Sequence, residues 1–152
     1  MGWLRKLGLI SGDSAGKLTD EPGELNLLKT LENGEAKAAF LTFAKSEFSE
    51  ENLVFWDAVH TLQAEWDRTP DADGREALCK AIIKEYLLEG AKRQVCIGND
   101  RVKAVLASGE YSRDMFDMPQ QIALSTLQED IFPRFCDSDA GKELAHHADL
   151  CS

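Results

Sequence analysis

Ser46-Glu47-Phe48-Ser49-Glu50-Glu51-Asn52-Leu53-Val54-Phe55-Trp56 reads as the sharp start of a helix. Ser49 has the side chain of an N-cap, with a hydroxyl able to accept from an orphan N–H of the first turn. Glu50 and Glu51 set negative charge against the positive end of the helix dipole. Phe48 ahead of the cap and Leu53 at the fourth helical position have the spacing of a hydrophobic staple. Leu53, Trp56, Val59 and Trp66 then fall on roughly one face, the three-and-four spacing of an amphipathic helix. The spacing predicts a helix from Ser49, closed by the turn formers Arg68-Thr69-Pro70-Asp71-Ala72-Asp73-Gly74.

The same period recurs on both sides of this stretch. Leu27, Leu28 and Leu31 form a short stripe stopped by Asn33-Gly34, and Ala36, Ala39, Phe40 and Phe43 form a second. Beyond the turn, Cys79, Ile82, Ile83, Tyr86 and Leu87 are the buried side of a fourth helix. Gly90 and Gly98-Asn99 bracket a connector, after which Asp100 caps a polar helix reaching Ser108. Asp117 and Gln120 have the spacing of a capping box, with Phe116 ahead and Pro119 in the first turn. Leu124, Leu127, Ile131 and Phe135 carry one stripe, on which Pro133 imposes a kink or an end. A last helix is predicted from Asp139 to His147. The fold class is therefore all-α, an antiparallel bundle whose terminal helices close one end. The domain spans 23–148, with an N-terminal tail at 1–22 and a C-terminal tail at 149–152.

Length and charge narrow the function. A chain of 152 residues is one domain with a single substantial core. A formal net charge of −10 argues against nucleic acid, which requires clustered Lys and Arg, and favours a basic partner surface. Cys79, Cys96, Cys136 and Cys151 stand far apart with no C-x-x-C spacing, and no secretory signal or membrane-spanning run is present. A reduced, cytoplasmic compartment follows most simply, and the chain is expected to be a monomer. Trp3, Leu4, Leu7, Leu9 and Ile10 flank Arg5 and Lys6, so residues 3–10 either touch an anionic membrane weakly and recruit the chain there, or dock on the domain. Lys6 stands where a myristoylation pattern needs Ser or Thr.

Several chemistry-bearing patterns fail. Thr69 to Gly74 resembles half a calcium loop, but Lys80 stands where a bidentate Glu is needed. Gly12-Asp13-Ser14-Ala15-Gly16-Lys17-Leu18 is one residue short of a phosphate loop and puts Leu18 where a hydroxyl must reach magnesium. His146 and His147 diverge by about 100° if helical and do not share a zinc ion easily. No signature marks a nucleophilic cysteine, and Cys79 lies on an apolar stripe. No cofactor, metal or catalytic residue of its own is expected.

Ser46 to Trp56, then Glu85-Tyr86-Leu87, Gln94-Val95, Phe116-Asp117 with Gln120, and Asp130-Ile131-Phe132-Pro133-Arg134-Phe135 with Ser138 resemble the regulator of G-protein signalling (RGS) domain from about Leu27 to Leu144. The resemblance implies a nine-helix fold, an antiparallel four-helix bundle with a subdomain of terminal helices. It also implies binding to the GTP-loaded alpha subunit of a heterotrimeric G protein and acceleration of its GTP hydrolysis. By position, Glu47, Phe48, Glu51, Asn52, Asp130 and Arg134 resemble the alpha-binding surface. Asp130 and Arg134, one helical turn apart, equally suit a plain intrahelical ion pair.

Three positions depart from the family pattern. Cys96 stands where an Asn is common, and a thiol cannot replace an amide's two-sided hydrogen bonding. Ile131 occupies a place often small and polar, and Thr126 one often taken by leucine. Bulk at the contact would clash or select an unusual alpha subunit. A second reading, a binding or scaffold module of the same fold with little or no acceleration, stays open beside the first.

Overall fold

The computed structural model describes residues 17–152, and their regular elements are helical: α1 (Leu27–Glu32), α2 (Gly34–Ser46), α3 (Glu51–Glu65), α4 (Ala72–Ile82) continuing into a π-helical turn (Ile83–Leu87), α5 (Asn99–Ala107), α6 (Asp117–Glu129), α7 (Ile131–Asp137), α8 (Asp139–Leu144) and a 3-10 turn (Ala148–Leu150). The all-α class expected from the spacing is what forms. The chain divides into two compact units, one running from Glu51 to Leu127 and one made of the residues up to Glu50 together with Gln128–Ser152.

The Glu51–Leu127 unit holds α3, α4, α5 and most of α6. Phe55, Val59 and Leu62 of α3 bury against Cys79, Ile82, Ile83, Tyr86 and Leu87, all five expected on the inner face of the fourth helix. Burial pushes the Cys79 thiol up to about 11, with the Glu76 charge adding to it, so it stays a protonated core residue. The turn cluster ahead of α4 supplies a cap, since Asp71 Oδ1 accepts from the Gly74 N–H at 2.6 Å. Trp66 lies one residue beyond the end of α3, with the Arg75 guanidinium over its ring at 5.1 Å. No capping box forms at α6. Gln120 Nε2 instead donates to the Trp56 carbonyl at 3.1 Å, and Asp117 Oδ1 accepts from Gln63 Nε2 at 3.0 Å. Partners on α3 win over the local cap. Asp100 is likewise no cap, because α5 starts at Asn99 after Gly98 at a φ of 94°.

In the other unit, Asn26 caps α1 by accepting from the Lys29 N–H at 3.0 Å. Asn33 closes α1 and opens α2, its Oδ1 accepting from the Ala36 N–H at 2.9 Å. Phe40 of α2 meets Phe132 and Phe135 of α7 at ring distances of 5.5 and 4.9 Å. The stripe read across Leu124 to Phe135 breaks in two, with α6 ending at Glu129 and α7 starting at Ile131. Pro133 has no N–H for the Glu129 carbonyl, and its ring would press on that carbonyl in a continuous helix. Ser138 caps α8 by accepting from the Gly141 N–H at 3.2 Å, and a side chain at Gly141 would run into the Phe135 carbonyl.

The predicted last helix to His147 stops at Leu144, and the C-terminal residues are not frayed. Thr19, Gly23 and Asn26 donate backbone N–H groups to the carbonyls of His146, Ala145 and Leu150 at 2.7, 2.8 and 2.9 Å. The Ser152 N–H returns one to Glu24 at 2.9 Å, and Leu150 and Cys151 are buried. These pairings satisfy backbone groups that a free tail would leave to water. Residues 3–10 and the start of Gly12–Leu18 lie outside the described residues. Among the described residues no helix is long and apolar enough to cross a membrane, and no three His, Cys, Asp or Glu side chains are grouped to hold a metal ion.

Candidate partner-binding surface

The stretch that reads as a helix start is first of all a helix end. After Ser46, the Phe48 N–H donates to the Lys45 carbonyl at 3.1 Å and the Ser49 N–H to the Ala44 carbonyl at 3.0 Å. This is the Schellman arrangement, with the residue after the C-cap in the left-handed region. Glycine usually holds that place, but here Phe48 does, at a φ of 54°. Ser49 consequently does not cap α3. Its hydroxyl donates to the Glu47 carbonyl at 3.0 Å, and α3 begins at Glu51. The expected staple is also absent, because the left-handed turn throws Phe48 outward to 90% exposure. No other non-glycine residue among those described has a positive φ.

Beside Phe48, Glu47 Oε1 lies 3.9 Å from Arg134 Nε, and Arg134 Nη1 lies 3.5 Å from Asp130 Oδ1. Glu47, Arg134 and Asp130 thus form one ladder of charge. The pair one turn apart does form, yet Arg134 is also shared with α2's end. All three side chains are 40–65% exposed, so the ladder contributes only about 0.2–1 kcal/mol per pair to stability. Their polar atoms stay open to a partner.

Ile131 leaves this surface. It was expected to add bulk beside Asp130, but it is 3% exposed. The restart of the helix turns Ile131, Phe132 and Phe135 inward together, at the i, i+1 and i+4 positions of a buried face.

On the Glu51–Leu127 unit, Glu51 and Asn52 sit half-buried in the first turn of α3, where N–H groups lack helical partners. Cys96 is exposed between Val95 and Ile97, each 2% exposed. Thr126 is exposed on α6, but its hydroxyl donates to the Ile122 carbonyl at 3.0 Å and is partly spent within its own helix. What the sequence reading missed is the way the connector before Cys96 is held. Gly90, at a φ of 79° after a run of helix formers, was the available signal.

Comparison with known proteins gives the chain its class. The family model described as "Regulator of G protein signaling domain" matches residues 26–144, from the cap of α1 to the end of α8. The chain belongs to the regulator of G protein signaling domain family. It is similar to "Regulator of G-protein signaling 1" of Xenopus laevis, 34% identical over 131 residues that are 81% of this chain and 61% of that protein. It is also similar to "Regulator of G-protein signaling 21" of Homo sapiens, 32% identical over 124 residues, 80% of this chain and 78% of that protein. "Regulator of G-protein signaling 5" of Mus musculus is 33% identical over 120 residues, 78% of this chain and 64% of that protein. The chain thus spans less than two thirds of the first and third of these relatives.

Proposed function

We propose that this chain binds the GTP-loaded alpha subunit of a heterotrimeric G protein and accelerates its GTP hydrolysis, with Glu47, Phe48, Glu51, Asn52, Cys96, Thr126, Asp130 and Arg134 making the contact. The observation that carries this reading is Phe48. Holding a non-glycine residue in the left-handed region costs about 1–2 kcal/mol, and leaving a phenyl ring in water forgoes its burial. The isolated domain gains from neither. An apolar pocket on a partner offsets both costs, and strained backbone of this kind clusters at ligand clamps. Flanking Phe48 in sequence are the acceptors Glu47, Glu51 and Asn52.

The chemistry belongs to the partner. An alpha subunit holds an arginine in cis and a glutamine that orients the attacking water. A binding protein adds rigidity, fixing mobile switch loops in transition-state geometry so that less ordering remains to be done at the barrier. This chain then needs no acid, base or nucleophile.

Such a partner must bind the transition state more tightly than the ground state. Titration is therefore expected to show affinity for an alpha subunit carrying a transition-state mimic on the order of 10²-fold above that for the GDP form. Glu51→Ala and Asn52→Ala should each weaken binding while costing about 1 kcal/mol of stability or less. Equal affinity for the two forms, or binding to neither, overturns the proposal.

Phe48→Gly separates the two costs. Relief of the left-handed strain, set against the extra unfolded-state freedom of glycine, should leave stability unchanged or raised by up to about 1 kcal/mol. Loss of the ring should weaken alpha-subunit binding by about 2 kcal/mol or more, the size of an aromatic anchor. Denaturant melts and the same titration measure both. A destabilised variant with full affinity would show that Phe48 serves the fold and not the contact.

A further inference from the structure

The end of α4 is the irregular place in the Glu51–Leu127 unit. Over Ile83–Leu87 the helix widens into a π-helical turn, and the Leu88 N–H donates to the Ile83 carbonyl five residues back at 3.1 Å. Because the helix stops there, the Glu85 and Tyr86 carbonyls lose the N–H groups that a continuing helix would offer. The returning connector supplies replacements. The Arg93 N–H donates to the Glu85 carbonyl at 3.2 Å and the Val95 N–H to the Tyr86 carbonyl at 2.9 Å.

Side chains tighten the same loop. Gln94 Oε1 accepts from the Gly90 N–H at 3.0 Å, at the residue whose φ of 79° requires glycine. Arg93 Nη1 lies 3.6 Å from Glu85 Oε1. Downstream, Arg101 Nη1 donates to the Ile97 carbonyl at 3.1 Å. Cys96 is thus held from both sides, between two buried neighbours. Gln94 is exposed, so its amide closes the loop without packing the core.

We propose that this π-turn clamp is a positioning device for GTPase acceleration and that Gln94 is its positioning residue, acting through the backbone at residue 96. The proposal rests on the functional reading above, in which residue 96 meets the alpha subunit. A connector already ordered in the folded domain has little freedom left to lose when the partner's glutamine is fixed, whereas a loose one must be ordered at that step.

The test is single-turnover GTP hydrolysis by an alpha subunit with the full chain as parent, Cys96→Asn, Gln94→Leu and the double variant. The gain from Cys96→Asn, on the order of tenfold in the parent, should shrink to about twofold or less in the presence of Gln94→Leu. Gln94→Glu, made alone and together with Cys96→Asn, keeps an oxygen acceptor for the Gly90 N–H and should preserve the gain. Hydrogen exchange at the Arg93 and Val95 amides should speed up by about tenfold in Gln94→Leu, the equivalent of one hydrogen bond. A purely structural Gln94 would lower both backgrounds alike and leave the ratio intact, which overturns the proposal. Unchanged exchange, loss of the gain in Gln94→Glu, or no gain from Cys96→Asn in the parent also overturns it. If none of these proteins accelerates hydrolysis or binds the transition-state mimic, the functional reading itself has failed, and the positioning role falls with it.

Discussion

Cys96→Asn is expected to raise the acceleration of GTP hydrolysis by about tenfold while leaving the melting temperature essentially unchanged. Removing a preorganised donor at a catalytic site typically costs about 10²–10³ in rate. The gain expected here is smaller, because residue 96 is proposed to act through the partner's glutamine and not on the transition state. A thiol is a weak donor and a weak acceptor, whereas an amide does both well. The structure removes the usual objection to such a replacement. Cys96 is exposed, so an asparagine there would not be a desolvated polar group, and surface changes of this kind stay within about 0.5 kcal/mol. Single-turnover assays alongside thermal melts decide the matter. A stable variant with no gain in rate would show that residue 96 does not meet the reacting glutamine.

Trp56→Ala should have the largest effect on stability, about 3–5 kcal/mol, through lost packing and the cavity left behind. Trp56 is 6% exposed, its ring stacks on His60 at 5.0 Å and 11°, and its carbonyl receives the Gln120 amide. Total stabilities are about 5–15 kcal/mol, so this one change removes a large fraction. For a chain of this size the melting temperature should fall by roughly 6–20 °C. His60 is exposed, and His60→Ala should cost about 1 kcal/mol or less. A Trp56→Ala protein that melts within about 2 °C of the parent would mean that α3 is held by Phe55, Val59 and Leu62 alone.

These effects come from positions the sequence read with unequal success. The helical spacing located the inner face of α4 residue by residue, since Cys79, Ile82, Ile83, Tyr86 and Leu87 are all buried. Burial follows the 3.6 period whatever the helix packs against, and so it can be read without knowing the partner. Local capping was less legible. Asp71 and Ser138, neither of them read as a cap from sequence, cap α4 and α8, whereas the caps expected at Ser49 and Asp100 do not form and the side chains of the box expected at Asp117 and Gln120 pair with α3. A side chain with a choice between its own helix and another element decides by tertiary geometry.

The stretch from Ser46 to Trp56 shows the same division in small compass. Sequence alone determined that the chain is all-α and that this stretch separates two helices. It also determined, through resemblance, the family to which the chain belongs. Those conclusions rest on periodicity and on spacing along the chain, which survive in one dimension. Only the tertiary structure decided that Ser49 closes α2 in place of opening α3, that Phe48 projects in a left-handed turn, and that Ile131 turns into the core while Cys96 faces out. The physical reason is that each depends on where one carbonyl or one side chain ends up after the backbone has turned. A φ of 54° at Phe48 and a broken helix at Asp130 set those directions, and residue types at fixed spacing do not encode them.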